Sequence, residues 1–317
     1  TRYEEYLHHE AHPSTPFAAT DSVGYEYHFL ELPIVDIWVE KFRNALVEKY
    51  PNLTFAPREA STVSVIKVGK AFKYKHKGIL RTLLRGLTYF FTLQWTQLGE
   101  LLRVVMGRSK DPFDFYEALI DFFQERKLHP TFFFLLGDYN YYDQGLSYNN
   151  LRYKYLIKHI ADYAIVSVLG SYDATSREEI LLKERERMSN IINRPVRRFR
   201  ANNNLLPLPE LYQPLAATEF KEDYTMGYLS HIGFRAGTCT PYIFYDIRLE
   251  VQIPIVVHSF ALHWQHIDKQ CTKETLYLIE TIKQQVADLK GDFISIFSPE
   301  YLSKAPNRFS LYKKVVN

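Results

Sequence analysis

The chain has 317 residues, 46% apolar and 24% charged, with a formal net charge of +3. These are globular proportions: they exclude a strongly basic nucleic-acid-binding module and suit one large domain or two smaller ones. Cys239 and Cys271, the only cysteines, neither staple a domain of this size nor form a zinc cluster, and they leave the redox compartment open.

Along the chain, Tyr3 to Ser14 reads as polar and irregular. Pro33 to Tyr50 predicts a helix: Val35, Trp38, Val39, Phe42, Leu46 and Val47 recur at helical spacing, and Pro51 stops it. Asn52 to Glu59 reads as a connector, and Val63 to Val68 as a strand. The basic run KVGKAFKYKHK, Lys67 to Lys77, reads as a solvated face rather than a contact for phosphate or acidic glycan. Polar residues from Arg81 to Arg103 interrupt the leucine-rich stretch Ile79 to Met106, so it falls short of the ~18–20 apolar residues that span a bilayer. It predicts one or two amphipathic helices packed on the body of the protein, not a membrane-surface anchor.

Asp111-Pro112 predicts a capped helix through Phe123. Thr131 to Leu136 is a buried strand, Asn150 to Tyr163 a helix, Ala164 to Leu169 a strand and Ser176 to Asn193 a charged helix. Pro195 to Arg200 and Ile253 to Val257 are strand candidates, Thr272 to Leu289 a helix capped by Thr272, and Asp292 to Phe297 a last strand. This alternation implies a mostly parallel sheet covered by helices, as a barrel or a doubly wound sheet, with its site at the C-terminal strand ends.

No dinucleotide, P-loop or H-E-x-x-H signature occurs. Neither His8, His9 and His12 nor His258, His263 and His266 have zinc-ligand spacing. Two segments carry more chemistry: FFFLLGDYNYYD (Phe132 to Asp143), where a buried strand meets a loop holding Asp138 and Asp143, and Phe220 to Ile247, with Asp223 and Arg235. The aromatic content of 15% suits both sugar stacking and a large core.

RYEEY (Arg2 to Tyr6), LELPIVDIW (Leu30 to Trp38), KYKHKG (Lys73 to Gly78), FFFLLGDY, EDYTMGY (Glu222 to Tyr228) and GFRAGTC (Gly233 to Cys239) resemble bacterial polysaccharide deacetylase-like proteins. Such proteins carry a carbohydrate esterase family 4, or NodB-homology, domain behind a family-specific N-terminal region. The resemblance implies an α/β fold, a distorted (β/α) barrel, over residues 58–317. It also implies that residues 1–57 are part of the N-terminal region, within which the chain begins. One Asp and two His would hold zinc, a second Asp would act as base on the metal-bound water, and a late His would protonate the leaving amine as an N-acetylated sugar is hydrolysed.

Carried over by position, these motifs are degenerate. The Asp-x-Asp motif falls on Lys67-Val68-Gly69, so a cation replaces the base and a glycine replaces a metal ligand. The metal-histidine stretch falls on Leu169-Gly170-Ser171-Tyr172, the Arg-x-His segment on Arg200-Ala201-Asn202, and the acid's position on Ser298. Arg235, which in such a site orients the catalytic Asp, is retained, and with Lys67 it would either repel or jointly hold an anion. A lysine beside a dication costs a few kcal/mol at ~4 Å, even at an effective dielectric near 20.

The expectation is therefore a metal-free, non-catalytic protein that binds carbohydrate, such as a cell-surface or capsular polysaccharide, and not nucleic acid. Its candidate ligand-binding residues are Lys67, Asp138, Asp143, Arg200, Asn202, Asp223, Arg235 and His258. The alternative is an active amino-sugar N-deacetylase, or another carbohydrate hydrolase, whose zinc or other divalent-metal site is rebuilt around His258, Asp138, Asp143 or Asp223. A structural subunit of a polysaccharide-assembly complex is the third reading. No signal peptide is visible, although the chain starts at Thr1 without an initiator Met, and a cytoplasmic location is expected.

Overall fold

A strand buried on both faces reads as a continuous apolar run, and Thr131–Leu135 (TFFFL) is such a strand in the interior of the sheet. The structure is a computed structural model and describes residues 3–11, 17–202, 207–269 and 272–316. His12 and Cys271 lie outside the described residues, as does the side chain of His9. The strands are β1 (Ser61–Val68), β2 (Thr131–Leu135), β3 (Ile165–Gly170), β4 (Arg198–Ala201), β5 (Glu222–Asp223), β6 (Tyr242–Asp246), β7 (Val251–Val257), β8 (Leu262–His263) and β9 (Asp292–Phe297). They form one nine-stranded sheet in the order β6-β7-β5-β4-β3-β2-β1-β9-β8. Every pairing is parallel except β6 with β7.

The helices are α1 (Tyr3–Ala11), α2 (Val23–Glu26), α3 (Ile34–Lys49), α4 (Ile79–Phe91), α5 (Trp95–Val105), α6 (Tyr116–Arg126) and α7 (Leu151–Ala161). After them come α8 (Glu178–Ile192), α9 (Tyr212–Ala217), α10 (Trp264–Lys269), α11 (Lys273–Asp288), α12 (Pro299–Leu302) and α13 (Pro306–Val316). Local caps set several starts: Asn150 accepts from the Tyr153 N–H at 3.1 Å, and Thr272 from the Thr275 N–H at 3.2 Å.

Side chains alternate along each strand, and here both faces are apolar. One face gathers Val65, Phe133, Leu135, Leu169, Ile294 and Ile296 with Tyr224 and Phe260. The other presents Ile66, Val68, Phe132, Phe134, Val168 and Phe199 to the helices. The expected barrel is not closed by strand pairing, since β6 and β8 are the two edges. The sheet nevertheless curls, because only residues 258–261 separate β7, beside one edge, from β8 at the other. Within that segment the Phe260 N–H donates to Met226 O at 2.9 Å and the Ala261 N–H to Ile294 O at 3.0 Å.

Three expectations need correction. The N-terminal stretch is helical, not irregular: α1 carries Glu4 and Glu5 in its first turn, where the helix dipole favours carboxylates. Asp111 does not cap a helix. It is buried and accepts the backbone N–H groups of Lys73, Tyr74 and Lys75 at 2.8–3.0 Å, while α6 starts only at Tyr116. Nor does α4 bury its apolar side on the body; none of its residues is buried. On α3, likewise, Val35, Trp38, Val39 and Phe42 lie exposed.

The N-terminal segment is tied to residues 233–240. The Phe234 N–H donates to Leu30 O, the Val35 N–H to Gly237 O, and Asp36 accepts the Cys239 N–H at 2.8 Å. Gly233 permits this approach, since a Cβ there would sit 2.3 Å from Leu30 O. Among the described residues no helix is long and apolar enough to cross a membrane.

Candidate functional site

The parallel strands direct their C-terminal ends to one side of the sheet, where ligand sites form in α/β folds. A cavity of about 160 Å³ opens there, and Lys67 and Gly69 from the end of β1 line it with Leu135 at the end of β2, Asn202 just past β4 and Ser298 just past β9. Trp264, Tyr142, Gln144, Lys70 and Glu300 complete its wall. Four of the positions where the deacetylase motifs would fall thus meet at one cavity.

Each of the four has a definite role in the arrangement. The Lys67 amine donates to the Asn202 carbonyl oxygen. Burial, and then the nearby Arg200 guanidinium, pull the Lys67 ammonium down to about 8, against the attraction of Glu300 and Asp143. The Asn202 amide donates to Asp143 at 2.7 Å, and the same carboxylate accepts the Tyr172 N–H at 2.7 Å. Gly69 makes room for this amide, because a Cβ at that position would stand 3.3 Å from Asn202 Oδ1. Ser298 caps α12, its hydroxyl accepting the Tyr301 N–H at 3.3 Å.

Leu169, at the fifth motif position, points into the apolar face with Phe133 and Leu135. Next to it, Ser171 donates its N–H to Glu184 at 3.1 Å, and burial pushes that carboxyl up to about 7 despite this bond. Tyr142 lines one side of the cavity, and its ring is backed by Tyr172, stacked at 4.1 Å with 17° between planes.

The structure does not bring the other candidates to the cavity wall. Arg235 is held in a buried two-point ion pair with Glu5 of α1, both contacts 2.8 Å, so the expected anion shared with Lys67 is not its role here. Asp138 is exposed and pairs with Arg187 and Lys183. Asp223 is buried, accepts from Tyr212 and Thr225, and is raised to about 6 by that burial. His258 stacks flat on Tyr224 at 4.4 Å and lies 3.4 Å from Glu222. Glu222 is drawn down to about 2, burial opposing and His258 and Arg198 favouring its charge. Arg200 is fully buried, donates to Tyr224 O and lies over the Phe260 ring.

The divalent metal that the resemblance implies needs ligands that these residues do not supply. Among the described residues no three His, Cys, Asp or Glu side chains converge where they could hold an ion. Zinc needs three anionic or neutral lone-pair ligands, and beside the single carboxylate of Glu300 and the Gln144 amide this cavity offers an amine, an amide already in use and a capping hydroxyl. The set does not fit. His263, His258 and His266 also do not meet: His263 is buried with its Nδ1 accepting the Gln265 N–H, and His266 pairs with Ser230 O. Burial, Arg200 and Lys67 keep His263 neutral.

Sequence reasoning did not select Lys70, Tyr142, Gln144, Trp264 or Glu300 as site residues. Tyr142 and Gln144 sit in or beside the strand-to-loop segment after β2, which could have flagged them; Trp264 and Glu300 had no local signal.

Residues 1–51 match a family of unknown function (DUF7033). No curated protein matches the chain. Among solved structures it is similar to one from Mycobacterium smegmatis described provisionally as a polysaccharide deacetylase. The identity is 14%, covering 83% of this chain and 85% of that one, with a TM-score of 0.50. A mutant of a CE4-family pseudoenzyme with restored enzymatic activity aligns at 10% identity over 78% of this chain and 71% of its own, with a TM-score of 0.33. The sheet with its covering helices is therefore a mixed α/β fold similar to that of a polysaccharide deacetylase structure.

Proposed function

We propose that the chain is a polysaccharide deacetylase-like protein without deacetylase activity, whose cavity at the strand C-terminal ends binds a glycan or an anionic group on one. The observation that carries this reading is the lining of that cavity. Where the resemblance expects a base, metal ligands and an acid, it presents the Lys67 amine, Gly69, Asn202 and Ser298. The Lys67 amine, lowered to about 8, is still mostly protonated at neutral pH, so little of it is free to take a proton from water, and its charge repels a metal ion. Tyr142, backed by Tyr172, and the adjacent Lys70 offer an aromatic group for a sugar ring and a charge for an acidic substituent.

The test combines binding with chemistry. Purified protein is expected to keep its melting temperature on addition of zinc, to gain several degrees with an acidic oligosaccharide, and to lose that gain in Tyr142→Ala. Metal-dependent release of acetate from an N-acetylated oligosaccharide would overturn the reading in favour of a rebuilt enzyme. A melting temperature unmoved by every saccharide would leave the structural-subunit reading in its place.

A further inference from the structure

The leucine-rich hairpin of α4 and α5 is inverted relative to an ordinary surface helix. Around α4, Ile79, Leu80, Leu83, Leu87, Phe90 and Phe91 fall within one arc of the helical wheel, and each is exposed, from 49% at Phe90 to 81% at Ile79. The opposite arc turns to the protein: Arg85 donates to Lys73 O, Arg81 lies 3.8 Å over the Tyr139 ring, and Gly86 meets Leu101 of α5. Leu102, Val105 and Met106 continue the exposed apolar stripe on α5. At the turn between the helices, the Phe90 ring meets Phe91 and Trp95 edge-on, and Trp95 is itself exposed.

Charge identifies what covers this face. From Lys73 to Lys110 the chain carries eight Lys or Arg and one acid, Glu100, which Lys73 and Tyr74 already hold. None of the other seven cations forms an ion pair with a described carboxylate. An apolar arc tipped with Phe and Trp and followed by the exposed cations Arg103, Arg108 and Lys110, in a segment that stays net positive with Asp111 and Asp114 counted, fits the headgroup-to-acyl boundary of an anionic bilayer. A second copy would bring like charges together. Both helices are too short to span a bilayer, so they would lie along its surface.

We propose that the α4–α5 hairpin docks this protein on an anionic lipid surface. Gln144 lines both the candidate cavity and the groove beneath α4, so docking there holds the cavity close to the lipid headgroups.

The test is co-sedimentation of the full chain with vesicles of phosphatidylcholine alone, or of phosphatidylcholine mixed with phosphatidylglycerol. Partition is expected to be at least about tenfold stronger with the anionic lipid and to weaken in high salt. Leu83→Asp with Phe91→Asp is expected to lower it by at least about tenfold while leaving the unfolding transition unchanged, because both side chains are exposed. Arg103→Glu with Arg108→Glu supplies an independent arm and is expected to abolish the preference for anionic lipid. Lys67→Met, which alters the cavity alone, is expected to partition like the native chain; a loss there would tie the effect to the cavity and overturn the proposal. So would absence of partition with either vesicle, or retention of partition by the double Asp variant. A dimer that this variant dissociates, in a chain that ignores vesicles, would also overturn it and make the face a self-interface.

Discussion

Lys67→Met should make the protein more stable, and the gain should depend on pH in a definite direction. In the folded chain the Lys67 ammonium is pulled down from 10.5 to about 8, mainly by burial. One pH unit of difference corresponds to about 1.4 kcal/mol, so carrying this charge near neutral pH costs the fold up to about 3 kcal/mol. Removing the amine also removes the donor to Asn202 O, a loss of about 1 kcal/mol, which leaves an expected gain of about 2 kcal/mol. A lowered lysine pKa means that the unfolded chain holds the proton longer as pH rises. The native protein therefore gains stability between about pH 8 and 10.5, and the advantage of Lys67→Met disappears over that window. Urea unfolding of both proteins near pH 7 and above pH 10, compared as a difference, reads this directly. A variant less stable than the native chain at neutral pH, or a gap that ignores pH, would refute the reasoning. A residue held at a stability cost fits a binding role better than a packing one.

Two further predictions concern buried charge. Glu5→Ala leaves the Arg235 guanidinium buried without the carboxylate that grips it and is expected to cost about 3–5 kcal/mol in urea unfolding, whereas Glu5→Leu with Arg235→Met should cost much less. Glu184 is raised from 4.5 to about 7 by burial, so its contribution is present at low pH and is lost as pH rises through that window. Glu184→Gln is accordingly expected to flatten the decline in stability between pH 4.5 and 7, by up to about 3 kcal/mol, measured by denaturant titration at both ends.

Elements whose signal is local were legible in the sequence. The run DFISIF is β9, residue for residue, and Thr272 caps α11 as its position suggested. Elements defined by distant partners were not. β5 and β8 are two residues each, too short for any periodicity, and exist because the neighbouring strand supplies their ladder. The buried Glu5 of α1 is explained by Arg235, 230 positions away. Asp111 carried a genuine capping signature, yet its carboxylate accepts three backbone N–H groups of the loop after β1 together with the Phe113 N–H, and the helix starts only at Tyr116. The apolar stripes of α3 and α4 were visible as helices, but periodicity cannot say whether a stripe faces inward.

The cavity shows the same division, and it explains why its chemistry resists piecemeal change. Parallel topology carries the ends of β1, β4 and β9 to one place, so motif positions far apart in sequence become neighbours without any local sign of it. Once there, the present residues depend on one another. Lys67 is held by the Asn202 carbonyl and Asn202 by Asp143, and a side chain at Gly69 would press on Asn202 Oδ1. A carboxylate placed at position 69 would crowd the Asn202 amide, and its charge would be answered by the Lys67 amine in the same cavity rather than by a metal ion. An aspartate placed at position 67 would leave Asn202, Gly69 and Ser298 in place, with Glu300 and Asp143 as its neighbouring carboxylates, and like charges there repel one another. Lys67, Gly69 and Asn202 therefore act as one arrangement that keeps a cation and an amide at the strand ends.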